Sequence, residues 1–300
     1  MANQEVAQRQ FTSPAELMRY VTVKISTSEE EEGGWTGCGT GFFYIFKVGE
    51  KYYPAVITNK HVIIGKARIA FQLHAKDDKG EPAPGPGREF TISPHPSFIV
   101  SHPEPDVDLV AIFIQPLLNV AQASGGWSAF ISGISADQIP TEQEISQLID
   151  FDAVAMVGYP SGISDSFNNS AVVRRGTVAS PLDRDYQGKR QFLVDIAVFP
   201  GSSGSPILIA NDGSHSTKAG MYLSNRFLLL GVLFAGHHAD SHGKIIVAPA
   251  PTALEPQVVV QQMIHLGVAI KASCITDIQA ELTRRLTIQT ATALPVSQSG

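Results

Sequence analysis

Short runs of β-branched and aromatic residues, each closed by glycine, proline or another turn former, recur along most of this 300-residue chain. Runs of roughly four to eight such residues suit strands and are too short for independent helices. The pattern therefore constrains the fold to many strands joined by turns. One group of runs covers residues 20–25, 41–46, 53–58, 68–73 and 109–114; a second covers 153–158, 171–179, 191–196, 206–210, 228–234 and 244–248. Two groups of about six short strands read as two antiparallel barrels or sandwiches. The turns are supplied by 26 glycines and 19 prolines.

The segments around these groups have a different texture. Residues 1–19 form an N-terminal segment, 20–115 the first barrel, 116–150 an insert, 151–250 the second barrel, and 251–300 a C-terminal helical segment and tail. Within the insert, Thr141 and Glu144 stand at capping-box spacing ahead of Ile145, Leu148 and Ile149, which predicts a short surface helix. Beyond Pro256 the pattern turns helical, with Ile275, Ile278, Leu282 and Leu286 at the spacing of one helix face. The final dozen or so residues read as frayed.

Composition excludes several classes of function. The formal net charge of −6 provides no basic field for a phosphate backbone, so a nucleic-acid partner is not expected. No apolar run approaches the roughly 18 residues of a membrane-crossing helix, and the N-terminus lacks a signal-peptide profile. Cys38 and Cys274, the only two cysteines, are too few for a disulfide framework or a cysteine-rich zinc site. The expectation is a soluble protein of a reducing cytoplasm, with no membrane partner.

The chemistry gathers at three places. Val198-Phe-Pro-Gly-Ser-Ser-Gly-Ser-Pro206 joins two expected strands. Gly201 and Gly204 would let the chain bend there so that Ser203 presents its hydroxyl while the amides of Gly201 and Ser203 converge on a developing oxyanion. On local sequence alone, a plain Gly/Ser loop fits equally well. A serine hydroxyl also needs a base. His61 follows an apolar run, where lone histidines are commonly structural. Asp108 opens the run Leu109–Phe113, and a carboxylate entering a core needs a hydrogen-bonding partner, which His61 would be. Asp106 shares its face by alternation but lies farther from the apolar run, so Asp108 is preferred. The order histidine, aspartate, serine is that of one known triad arrangement; other serine hydrolases use other orders. The Gly-x-Ser-x-Gly elbow of esterases is absent.

In order along the chain, Gly39-Thr-Gly-Phe-Phe43, Val56-Ile-Thr-Asn-Lys-His-Val62, Asp108-Leu-Val-Ala-Ile112, Val157-Gly-Tyr-Pro-Ser-Gly162, Arg175-Gly-Thr-Val-Ala-Ser180, Pro200-Gly-Ser-Ser-Gly-Ser-Pro206 and Leu230-Gly-Val-Leu-Phe-Ala-Gly236 resemble motifs of the trypsin-like serine peptidases, and within them the HtrA-type branch without its PDZ module. The resemblance spans about 37 to 249. It implies an all-β, chymotrypsin-like fold: two antiparallel six-stranded β-barrels, the active site in the cleft between them, and a C-terminal helix. It also implies a serine endopeptidase acting through an acyl-enzyme intermediate, with His61 as base then acid, Asp108 as its orienting partner and Ser203 as nucleophile. Gly201, Ser202 and Ser203 would form the oxyanion hole. The same fold could instead serve as a catalytically silent peptide-binding module, although such a module has no need of all three side chains. Ser205 departs from the family's glycine and is expected to tighten the turn. Ser202 stands where trypsins matured by cleavage keep an aspartate, so an intracellular peptidase, stand-alone or controlled by an activating protein partner, is expected rather than a zymogen.

Aligned on the nucleophile, Ala197 falls at the floor of the primary specificity pocket, with Val198 beside it. By the same resemblance, Phe234, Ala235 and Gly236 would form the edge that pairs with a protein or peptide substrate. That floor implies selection of small or medium aliphatic residues. His237-His-Ala-Asp-Ser-His242 contains ligand-type residues, yet reads more simply as a turn at the pocket rim, so no metal and no cofactor are expected. Cys38 reads as a small buried apolar residue.

Overall fold

The computed structural model describes residues 13–123, 127–244 and 257–292. Eight strands build the first unit: β1 (Thr22–Ser28), β2 (Gly37–Val48), β3 (Lys51–Thr58), β4 (Arg68–Ala75), β5 (Arg88–Ile92), β6 (Ile99–Ser101), β7 (Val110–Phe113) and β8 (Ala129–Phe130). They lie in the order β5-β4-β1-β2-β3-β7-β6, with β8 against β4. The expected closed six-stranded barrel is therefore not what forms here. The sheet curls but stays open, ending on the short strands β5 and β6.

The second unit holds β9 (Ala153–Gly158), β10 (Val172–Val178), β11 (Gln191–Asp195), β12 (Pro206–Asn211), β13 (His215–Thr217), β14 (Gly220–Tyr222), β15 (Arg226–Lys244) and β16 (Gln257–Lys271). Six of these close a barrel in the order β10-β11-β16-β15-β12-β9. Its interior is filled by Met156, Phe192, Val194, Ile207, Ile209, Leu230 and Leu233. The closing strand β16 lies beyond residue 250, in the stretch expected to be helical, so the barrel extends past the boundary assigned from sequence. Strands β15 and β16 stay paired out to Lys244 and Gln257. His237–His242 is thus strand rather than the expected turn. The rest of the strand expected over 244–248 and the tail at 293–300 lie outside the described residues.

Among the described residues there are also five α-helices: α1 (Pro14–Met18), α2 (Lys60–Ile63), α3 (Gln115–Ala123), α4 (Glu142–Gln147) and α5 (Cys274–Thr292). Helix α4 begins at the expected capping box, where Thr141 Oγ1 accepts from the Glu144 amide and the Glu144 carboxylate accepts from the Thr141 amide. Helix α5 places Ile275, Ile278 and Leu282 in a seam between the units, against Phe42, Tyr44 and Phe46 of β2 and Leu208, Leu229 and Val232 of the barrel. Strand β2 is apolar on both faces because Phe43 packs into the other side of its own sheet. Each large side chain buried in the seam contributes about 1.5–3 kcal/mol. Asp277 of α5 accepts from Arg190 Nη1 at 2.6 Å and bonds buried His102 Nε2 at 3.0 Å. These contacts hold the two units at a fixed separation, on which any site shared between them depends. Among the described residues, no helix is long and apolar enough to cross a membrane.

Candidate active site

Strand β3 runs into the single turn of α2, which carries His61 just beyond the last buried strand residue. Asn59 at the junction is fully buried, and its side-chain amide donates to the Asp108 carbonyl at 2.8 Å. Lys60 Nζ donates to the carbonyls of Glu104 and Pro105 at 3.0 and 3.2 Å. Both bonds pin the loop that leads into β7. The Asp108 carboxylate is thereby brought under His61. Its Oδ2 lies 2.5 Å from Nδ1, and its Oδ1 accepts from the His61 amide at 3.1 Å. Burial pushes the Asp108 carboxyl up, but the bonds from the His61 ring and amide and from the Lys60 amide outweigh it and hold the group below its usual 3.8. Asp106 is exposed and makes no bond to His61 among the described contacts.

The Val198–Pro206 segment forms a tight turn from the opposite unit. Gly201 and Gly204 adopt φ of 86° and 87°, a conformation that disfavours any side chain. A Cβ on Gly204 would lie 1.9 Å from the Thr40 carbonyl oxygen. The Pro200 carbonyl accepts from the Ser161 amide at 2.5 Å. Because C=O and N–H of a trans peptide point in opposite directions, the Gly201 amide faces away from Ser161. Neither the Gly201 nor the Ser203 amide donates to an acceptor among the described residues. Ser202, by contrast, is fully buried, and its amide donates to Phe199 at 3.0 Å. Its side chain accepts from the Phe199 amide rather than reaching outward. Ser205 is also fully buried, with Oγ unpartnered among the described residues and pressed against Gly158, where a Cβ would come within 2.2 Å.

Thr40 of β2 links the two units. Its amide donates to the Ser203 carbonyl at 2.9 Å, and its Oγ1 donates to the Gly201 carbonyl at 2.8 Å while accepting from the Tyr159 amide at 3.0 Å. Thr58 Oγ1 in turn donates to the Thr40 carbonyl at 2.7 Å. Both threonines are fully buried. Both lie within sequence motifs noted above, Gly39–Phe43 and Val56–Val62, but neither threonine could be given a role from sequence, beyond the glycines flanking Thr40 that let the two chains approach. Cys38 also lies at this junction, part-exposed rather than buried, with Sγ 3.0 Å from where a Gly201 Cβ would stand.

The residues expected to line a substrate pocket divide. Val198 turns into the barrel core, while Ala197 stays part-exposed. Phe234, Ala235 and Gly236 lie part-exposed on β15, beside a register shift in its pairing with β16. The Ile196 amide donates to the His265 carbonyl at 3.0 Å, and His265, at φ 63°, sets its ring 5.5 Å from that of Phe199. Arg174 of β10, which sequence reasoning missed, donates to the Ala197 carbonyl and stacks 4.8 Å from the Phe199 ring centroid. The side chains of His238, Asp240 and His242 lie outside the described residues.

Within the site, the structure joins His61 to Asp108 and joins the Ser203 turn to the first sheet through Thr40. Among the described residues no hydrogen bond links His61 Nε2 to Ser203 Oγ. Such bonds often tighten only when substrate arrives.

A sequence profile of the trypsin-like peptidase domain matches residues 39–214. In structural comparison the chain is similar to a crystal structure of the Rv3671c protease in an inactive form, at 15% identity and TM-score 0.42, covering 89% of this chain and 91% of that one. It is also similar to an inactive-form structure of a serine-to-alanine mutant of Rv3671c from M. tuberculosis H37Rv, at 14% identity and TM-score 0.42, covering 99% and 98%. A comparison with curated proteins returns no match.

Proposed function

The chain belongs to the trypsin-like peptidase family, and we propose that it cleaves peptide bonds in the groove between its two β units through His61, Asp108 and Ser203. Family membership makes it a serine endopeptidase by class. The observation that carries the residue assignment is the 2.5 Å contact between His61 Nδ1 and Asp108. An ionised carboxylate can only accept, so the proton sits on Nδ1 and Nε2 keeps its lone pair for a serine hydroxyl.

In this reading Ser203 Oγ attacks the scissile carbonyl as Nε2 takes its proton. The oxyanion accepts from the Gly201 and Ser203 amides, which have no other acceptor among the described residues. The imidazolium returns the proton to the departing amine, and Asp108 stabilises its charge. Water, deprotonated by the same nitrogen, then hydrolyses the acyl-Ser203 ester. The oxyanion role expected of Gly201 and Ser203 rests on their amides; Ser202 contributes only the bend between them. Two unpaired cysteines fit a reducing, cytoplasmic setting. Ser202 offers no acid to receive a new N-terminal ammonium, which argues against activation by cleavage and for a peptidase that is stand-alone or controlled by a protein partner.

Fluorophosphonate labelling tests the assignment. Wild type should be labelled on Ser203 and should hydrolyse peptide libraries. Ser203→Ala should lose the label and about a millionfold in kcat. A folded, unlabelled wild type would leave a peptide-binding module of the same fold.

A further inference from the structure

We propose that Arg174 is the specificity-determining residue of this peptidase and that it selects an acidic side chain on the residue preceding the scissile bond. The inference rests on the peptidase reading above.

The argument begins with the strand. Residues two apart on β10 share a face, and Val178 points into the barrel core. Arg174 therefore faces inward as well, across from the buried core residue Met156. A guanidinium on the inner face of an apolar barrel has one way out, towards the mouth. There its Nη1 donates to the carbonyl of Ala197, and its plane lies over Phe199. Ala197 is the residue that alignment on Ser203 puts at the pocket floor, and Phe199 immediately precedes the Pro200–Ser203 turn. The charge thus sits beside the nucleophile segment, held from two sides.

Its pairing and its place together set this arginine apart: Arg68 and Arg88 also lack a carboxylate among the described residues, but they lie on the first sheet over Trp35 and over Phe90 and Trp127, away from the Ser203 turn. Arg190 reaches Asp277 and Glu104, Arg226 reaches Asp152, and Arg284 and Arg285 both reach Glu281. Arg174 has a neutral carbonyl and a ring, and among the described residues no carboxylate. Burial alone lowers its pKa, with no acid acting in the other direction. A part-buried guanidinium stays charged regardless. Desolvating a charge without a counter-ion is costly, and the cost is recovered when a ligand brings one. The carbonyl and the ring fix the plane of the fork, leaving its remaining N–H groups for two carboxylate oxygens.

Arg174 and Ala197 are both part-exposed, and an alanine side chain is too short to shield a guanidinium bonded to its own carbonyl. The residue that sequence reading took as the mark of an aliphatic pocket is then what admits the charge. A basic substrate side chain would meet like charge, and an aliphatic one would bury the guanidinium unpaired.

Peptide-library cleavage by wild type, normalised to active sites titrated with fluorophosphonate, should place Glu or Asp before the cut. For matched peptides, the Glu over Gln ratio in kcat/KM should be about tenfold to a hundredfold, carried mainly by KM. Arg174→Ala should bring that ratio close to one. Arg174→Glu should invert it in favour of Lys. Where a variant does not fold, wild type alone suffices: a peptide aldehyde ending in Glu should block labelling at about tenfold to a hundredfold lower concentration than one ending in Gln or Leu. A labelled enzyme that prefers uncharged or basic residues overturns the inference and leaves the peptidase reading intact. A protein that neither labels nor cleaves ends both.

Discussion

The open first sheet and the closed second barrel bring different things to the site. The first contributes side chains alone: a half-exposed imidazole and the carboxylate beneath it, at 50% and 22% exposure, one on the short helix after β3 and the other on the loop before β7. The second contributes the Ser203 hydroxyl and, around it, main chain: two amides, a carbonyl turned towards Ser161, and glycines at positive φ. Side chains beyond the strand ends can be exchanged without disturbing the sheet below them. A main-chain turn exists only while its backbone is held. Damage to the first unit should therefore appear in chemistry, and damage to the second in folding and in chemistry together.

Asp108→Asn offers the largest separation of these effects. It keeps the shape of the pair, but an amide can donate where the carboxylate could only accept, so the imidazole tautomer is no longer fixed. A loss of about ten-thousandfold in kcat is expected, with labelling slowed in parallel and the far-UV spectrum unchanged. The pH dependence follows from the depressed Asp108 pKa. A carboxyl that titrates lower when folded than when unfolded stabilises the fold fully above its ordinary 3.8 and loses that contribution as pH falls through its folded value. In urea melts between about pH 5 and 2, wild type should lose stability faster than Asp108→Asn. Equal slopes would show that the pair does not anchor the loop.

Gly204→Ala probes the other unit. The left-handed conformation alone costs an alanine about 1–2 kcal/mol, and at Gly213, also at φ 79° with open space around it, that should be the whole effect. At Gly204 the added carbon meets the Thr40 carbonyl oxygen at 1.9 Å and Thr58 Oγ1 at 2.5 Å. Both atoms belong to the buried link between the units, so the turn must move. Urea midpoints should fall much further for Gly204→Ala than for Gly213→Ala, and only the former should lose Ser203 labelling. Similar midpoints would mean that the turn is softer than its glycines suggest.

The same contrast explains how much of the molecule was legible in its sequence. Chemistry carried by side chains can be read from residue type and order, which is how His61, Asp108 and Ser203 could be named together. Strand β9 matched its expected bounds, and β10 came within a residue at each end, because apolar runs between turn formers are a local signal. The open edges of the first sheet were not legible. Strand β6 is three residues long, and β5 is largely exposed after a Pro/Gly loop, so neither carries an apolar run. Strand β16 was read as helix because the helical spacing at Ile275 was extended back over a β-branched stretch. Arg174 and Thr40 were invisible for a different reason. Their roles lie in carbonyls of residues far away in sequence, Ala197 and Gly201, and a backbone acceptor has no residue type to read.

Thr40→Val gives the smallest effect and the sharpest test of whether the two units act as one. Valine preserves the shape and the Thr40 amide bond to Ser203, but removes the hydroxyl that donates to Gly201 and accepts from Tyr159. Both partners are main-chain groups in a buried junction, and each left unpaired costs about 1–3 kcal/mol. If the first sheet only covers the turn, that loss should appear in urea midpoints and nowhere else. If it positions the turn, the Gly201 peptide should also be freer to rotate. The amide would then be aimed at the oxyanion for less of the time, and kcat should fall about tenfold beyond any change in KM. Thr58→Val removes the neighbouring hydroxyl without touching Gly201, so it should reproduce the stability loss while sparing most of kcat. Equal kcat losses in both variants would mean that the sheet supports the turn by packing, with no directed role for the Thr40 hydroxyl.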